Sequence, residues 1–196
     1  MNDSSTNAAI AVLATATTFR GQTIRGLVEV SITPGIGINL VGLADVAVKE
    51  SLLRVVTALQ AQGYHFPGKK VVINLHRDPQ FSRRVHGMDD GGWFDLPIAL
   101  GILLASGQVK ASKKELDETI FVGRLNLDGR IVAPASGFLH DADAARAVSW
   151  AYRDEQSVWG WDTGNNGGDT WLDVKDLKDA VELLESALND EEASHE

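Results

Sequence analysis

Residues 63–70, GYHFPGKK, come within one position of the phosphate-cradling pattern G-x-x-x-x-G-K-[ST]. In that pattern backbone N–H groups hold the phosphates, the lysine reaches toward them, and the hydroxyl that follows holds magnesium. Here Lys70 stands where the hydroxyl belongs. The required context is a strand before the loop and a helix after it. This segment follows a helical pattern and opens an apolar, strand-like run, KKVVINL. Chemistry and context both fail, so it reads as a connection and not as a nucleotide site.

Other reactive side chains give weaker signals. The five histidines, His65, His76, His86, His140 and His195, show no i,i+4 pair or other ligand spacing, so no metal site is expected. There is no cysteine, which removes disulfides, thiolate ligands and a thiol nucleophile. Serine, histidine and aspartate all occur, but no G-x-S-x-G elbow does. Lys69, Lys70, Arg77, Arg83 and Arg84 face one acid, Asp78, in a short stretch. They form either a solvated loop or a contact for an anion or nucleic acid. Trp150, Trp159, Trp161 and Trp171 read as packed aromatics, with Trp159 and Trp161 open to a partner. Asp95 stands at the head of an apolar run, where its carboxylate is expected to cap the helix by accepting from the first turn's N–H groups.

These residues must be carried by a mixed set of elements. Residues 8–18 and 23–32 are β-rich runs around RGQT, a hairpin. A Pro/Gly turn and a short strand lead to Asp45, read as the N-cap of a helix. Val48, Leu52, Val55, Val56 and Leu59 recur there at helical spacing, and Gly63 supplies the stop. Glu50 and Arg54 form an i,i+4 pair expected on the outer face. After KKVVINL and a polar loop, the helix from Asp95 to about Ser106 is apolar nearly all round and must be buried on most sides. Pro97 lies in its first turn, where a missing N–H costs little. The run TIFVGRLNLDGRIVAP reads as a hairpin turning on Asp128-Gly129. A helix from about Asp141, a Gly/Asn-rich loop and a closing helix around 177–188 complete the chain, and after Ala147 no smooth strand is evident. Interleaved strands and helices make this α+β or mixed α/β.

The 196 residues suffice for one substantial core. The net charge of −9 is uneven: 10 basic against 8 acidic residues up to Lys110, then 8 against 19. The acidity lies toward the last helix and tail, a distribution unlike that of a general nucleic-acid binder. The N-terminal run AAIAVLATATTF reads as a strand and not a signal peptide, and no run has bilayer-spanning length. A cytoplasmic protein is expected. The expected division is a disordered start at 1–7, one domain over 8–188 and an acidic tail at 189–196.

Read in order, PGIGINLVGLADVAVKES, ALQAQGYHFPGKKVVINL, GGWFDLPIALGILLASGQ and FVGRLNLDGR resemble the N-terminal domain of the ComM/YifB family, magnesium-chelatase-like AAA+ proteins. Gly42, Asp45, Lys49, Glu50, Gly92, Asp95, Pro97, Asp128 and Gly129 mark the shared motifs. The resemblance implies an α+β, Lon-protease-type (ribosomal-protein-S5-domain-2-like) fold: a mixed sheet with helices packed on it. Lon-type enzymes use a Ser–Lys dyad. The serine slot is occupied here by Gly91-Gly92 and the lysine slot falls near Leu139. No serine lies between Arg83 and Ala105, and no lysine between Glu115 and Val174. Without nucleophile and base, acyl chemistry has no means to proceed there.

The resemblance therefore implies a non-catalytic interaction or assembly module, linked through the family to DNA branch migration in natural transformation. No catalytic, metal or cofactor residues are assigned. The expected partner is a protein, either an AAA+ motor or a second copy, with only weak DNA contact through the basic loop and no membrane. The alternatives are a hydrolase with a relocated site using Asp95 with His86 or Asp90, and a weak nucleic-acid module.

Overall fold

A computed structural model of the chain describes residues 9–19, 22–42, 46–77, 91–132, 148–150 and 174–193. Two long β-rich runs form the expected hairpin: β1 (Ala9–Phe19) and β2 (Gln22–Thr33) pair antiparallel from Ala9↔Ile32 to Phe19↔Gln22. Next come β3 (Gly37–Gly42), α1 (Val46–Ala61) and β4 (Lys70–Arg77). A 3₁₀ turn, Gly91–Phe94, runs into α2 (Asp95–Ala105). Then follow α3 (Lys113–Glu118), β5 (Thr119–Phe121), β6 (Arg124–Leu125), β7 (Ile131–Val132), β8 (Val148–Trp150) and α4 (Leu177–Ala193). The protein is thus α+β, with a mixed six-stranded sheet in the order β3-β4-β2-β1-β5-β8.

Period-2 alternation decides which face of the sheet is covered. Leu13, Val28, Val30, Val71, Ile73 and Leu75 are fully buried, while Val12, Glu29, Val72 and Asn74 between them are not. Helix α2 lies on β1 and β2, buried over Asp95–Leu103, as its all-round apolarity requires. Gly101 permits the approach: a Cβ there would meet Val30 Cγ2 at 2.6 Å. Helix α1 packs against α2 through Val48, Val55, Ala58 and Leu59, and α4 adds Leu177, Ala180, Val181 and Leu184 to the same core. The expected stop at Gly63 is a two-bond C-cap, with Gly63 N donating to Gln60 O (3.1 Å) and Tyr64 N to Leu59 O (2.9 Å). Gly63 has the positive φ of 85° that this cap needs.

Several expectations require correction. The run after Thr119 is not one hairpin. Strand β5 joins the main sheet parallel to β1, and only β6 and β7 pair antiparallel, as a separate two-stranded sheet. The break is at Gly123, whose N–H donates to Trp93 O (3.2 Å) and whose carbonyl accepts from Leu96 N (3.0 Å). The turn also holds three residues, not two: Leu127, Asp128 and Gly129 lie between Asn126 and Arg130, and Asn126 N donates to Arg130 O (2.8 Å). Gly129 at φ 88° is the left-handed residue of such a loop. Helix α3 had no counterpart in the sequence reading. Strand β8 stands parallel to β5 where no strand was evident. Helix α4 continues past Leu188 to Ala193, so Asp190, Glu191 and Glu192 are helical. Asp45, Arg83, Arg84, His86, Asp90, the helix from Asp141, the Gly/Asn-rich loop and residues 1–7 lie outside the described residues.

Candidate functional site

The most concentrated chemistry gathers at Asp95, the first residue of α2. Its side chain is 0% exposed. Ser51 and Arg54, three apart on α1 and so on one face of that helix, both reach it. Ser51 Oγ donates to Oδ1, Arg54 Nε to Oδ2 at 2.8 Å and Arg54 Nη2 to Oδ1 at 3.2 Å. From β6, the Leu125 backbone N–H donates to Oδ2 at 3.0 Å. One carboxylate therefore fastens α1, α2 and the β6–β7 hairpin together. Burial pushes its pKa up to about 6 from the ordinary carboxylate value of 3.8, against the lowering pull of the Arg54 hydrogen bond, the Leu125 N–H and the charges of Arg54 and Arg124. Desolvation wins because no water reaches the group.

The capping role expected for Asp95 is corrected. Phe94 occupies the N-cap position in αR conformation, with no side-chain cap bond. The 3₁₀ turn carries the chain straight into the helix, and the Leu96 N–H is already taken by Gly123 O. The carboxylate is thus turned away from its own helix. The outer-face reading of Arg54 also falls short: its side chain is 27% exposed and its guanidinium lies against Asp95. Lys49 and Glu50 do lie on the exposed face of α1. Sequence reasoning missed Ser51, although its place in the buried series Val48, Ser51, Val55 marks it as an inward-facing polar residue needing a partner.

Around this node the other motif residues act through backbone geometry. Gly42 has φ 82°, and a Cβ there would collide with the Leu75 carbonyl. Gly92 lies in the 3₁₀ turn, and Pro97 is buried in the first turn of α2. Asp128 accepts from Arg130 N (3.1 Å) and Arg130 Nε (2.7 Å), and the Arg130 backbone bond leads in holding its carboxyl below the ordinary value. The Asp128 carbonyl accepts from Gln62 Nε2 at 2.7 Å, which seats the turn on the end of α1.

Of the five basic residues, Arg83 and Arg84 lie outside the described residues, and the structure places only Lys69, Lys70 and Arg77. Lys70 opens β4 and Arg77 ends it, so they stand about 23 Å apart at the strand rise per residue. Lys69 is exposed beside a cleft of about 670 Å³ between the Thr33–Gly35 turn and the His65–Lys69 connection. GYHFPGKK runs from a helix cap into a strand, as its pattern indicated. On the sheet face opposite α2, Asn74 Nδ2 donates to Glu29 Oε2 (2.7 Å) and His76 Nε2 lies 3.2 Å from Glu29 Oε1. Among the described residues no group of three or more His, Cys, Asp or Glu could hold a metal ion. No helix among them is long and apolar enough to cross a membrane.

Fold and site together define an α+β domain in which, among the described residues, a buried carboxylate clasp joins α1, α2 and β6. Residues 28–150, from β2 through β8 and so including the Asp95 node, match the family model described as subunit ChlI of Mg-chelatase, and the chain belongs to that magnesium-chelatase-like family. It is 42% identical over 105 residues to the uncharacterized protein YifB of Escherichia coli, covering 53% of this chain and 19% of that one. It is 40% identical over 95 residues to the competence protein ComM of Haemophilus influenzae, covering 48% and 17%. An uncharacterized protein of Mycobacterium bovis is 34% identical over 134 residues, covering 65% and 25%. The matched region spans a quarter or less of each relative's length.

Proposed function

We propose that this chain is a non-catalytic, ComM-like domain of Lon-protease-type fold that serves as an interaction and assembly module in the cytoplasm, connected with DNA processing during competence. The observation that carries this reading is the state of Asp95. It is the one acid at the head of the buried helix, and Ser51, Arg54 and the Leu125 N–H occupy both its oxygens at 0% exposure. A general base needs a face open to the proton it abstracts, and this carboxylate has none. The glycine turn ahead of it offers no oxygen nucleophile, so the segment that would carry a hydrolase's serine serves to aim α2. Likeness to a competence protein supports the biological setting.

The test is turnover. The purified chain, incubated with ATP and separately with an unfolded protein substrate, is expected to give background rates, and Asp95→Asn to leave them unchanged. Hydrolysis that copurifies with the chain and disappears in Asp95→Asn, with the fold intact by circular dichroism, refutes the module reading.

A further inference from the structure

Strand β3 is one of the two edges of the six-stranded sheet, and among the described residues it is bonded to β4 alone. Five of its six residues are exposed, and only Leu40 is half-buried. Natural edge strands are normally blunted by lysine, proline, a bulge or a covering element, because unpaired N–H and C=O groups invite another strand. Within β3 itself there is no lysine, proline or bulge. The ladder to β4 runs unbroken from Gly37↔Lys70 to Gly42↔Leu75. No charged residue occurs between Glu29 and Asp45. Three of the protein's exposed large apolar residues crowd this short stretch: Ile36 at 92%, Ile38 at 38% and Val41 at 44%.

We propose that β3 is a self-association edge, pairing antiparallel with β3 of a second copy of this chain about a two-fold axis at Asn39. The occupant follows from the pleat and the charge. Leu40 packs against the core and defines one face, which Ile38 shares, while Asn39 and Val41 point the other way. A two-fold pairing that keeps both faces continuous must set even positions against even and odd against odd. Centring on Asn39 places Ile38 against Leu40 of the second copy, so the apolar face continues across the axis, and sets the two Asn39 amides opposite each other. Centring on Leu40 would set Ile38 against a glycine and Asn39 against a valine. The lack of charge removes the cross-strand repulsion that two copies of a −9 chain would meet along a charged edge. Isologous dimers are also the commonest soluble assembly. An edge this short makes a small interface, so the pairing is micromolar or weaker and depends on concentration.

This inference rests on reading the domain as an interaction module, yet the two fail separately. A monomeric wild type removes the self-pairing, whereas Asp95-dependent turnover removes the module reading. The experiment is sedimentation equilibrium from low micromolar to near-millimolar concentration on wild type, Asn39→Lys and Asn39→Glu. Asn39 is exposed, so both variants are expected to keep the wild-type circular dichroism and melting temperature. Wild type is expected to rise from monomer to dimer mass. Each variant alone sets like charges opposite each other at the axis and is expected to stay monomeric. An equimolar mixture of the two sets opposite charges there and is expected to recover the dimer. A wild type that stays monomeric throughout overturns the proposal and leaves the edge to an extended peptide of another protein. Variants that dimerise like wild type, or a mixture that stays monomeric, overturn it as well.

Discussion

Replacing Asp95 by alanine separates a helix cap from a tertiary clasp. A lost cap costs about 0.5–2 kcal/mol. The structure predicts more, because the groups left behind belong to other elements. Ser51 is 0% exposed and the Leu125 N–H donates to a fully buried atom, so both lose acceptors where water does not replace them. Each stranded group of this kind costs about 1–3 kcal/mol. Arg54 is 27% exposed and recovers much of its solvation, so it adds little. The sum, less the relief of removing a desolvated charge, is about 2–4 kcal/mol at neutral pH. The cost also depends on pH, with a defined sign. The folded pKa is raised to about 6 from 3.8, so the folded state holds the proton where the unfolded state has released it. The stability from this group is therefore fully present below the unfolded value and is lost as pH rises through about 6. Between about pH 5 and about pH 7.5 wild type loses about 1.4 kcal/mol on this account, and the alanine variant loses none of it. Urea unfolding at the two pH values reads both effects, provided the slope against denaturant is unchanged. A loss below about 1 kcal/mol, or one that grows as pH rises, would refute the clasp and its burial-driven pKa.

Three further outcomes follow from particular contacts. Asp95→Leu added to Arg54→Met is expected to recover part of what Arg54→Met alone loses, because no buried carboxylate is left without its cation, while Ser51 and the Leu125 N–H still lack their acceptor; a double-mutant cycle by urea unfolding measures the coupling. Gly101→Ala is expected to destabilise by about 1–3 kcal/mol in a thermal melt, since its Cβ would press on Val30 Cγ2 at 2.6 Å and Leu13 Cδ1 at 3.2 Å in a close-packed core. With Lys70 and Arg77 at opposite ends of β4, DNA affinity is expected to stay in the non-specific range of about 10⁻⁴–10⁻⁶ M and to fall with salt in a fluorescence-anisotropy titration.

What was legible in the sequence was whatever its own neighbours determine. An apolar run without a polar face can only be a buried helix, and α2 is one. The β-branched hairpin of β1 and β2, and the glycine that ends α1, are likewise set by residues adjacent in the chain. The misreadings share another cause. Asp95 sits where caps sit, but its partners lie 44 and 41 residues away on α1. Arg54 has a suitable helical neighbour in Glu50, and nothing local distinguishes that pairing from the distant one. The TIFVGRLNLDGRIV run reads as one hairpin around its Asp-Gly turn, and its division at Gly123 depends on hydrogen bonds to Trp93 and Leu96.

The distribution of polarity bears most directly on function. In an ordinary domain the informative departures are a buried polar group and an exposed apolar patch, and this protein has both in separate places. Two of the buried polar residues among those described, Ser51 and Asp95, bind each other and join the elements that carry them. Three of the exposed large apolar residues among those described, Ile36, Ile38 and Val41, lie on the rim of the sheet in a stretch without charge, while Ile10, Val12, Leu53, Leu127 and Val132 lie elsewhere. A catalytic site needs the reverse, with polar groups at an opening and apolar residues lining what encloses it. On the module reading proposed above, the enclosed Asp95 clasp and the uncharged rim at β3 suit a domain that binds a strand. That places the weight of the functional question on the β3 edge and its occupant.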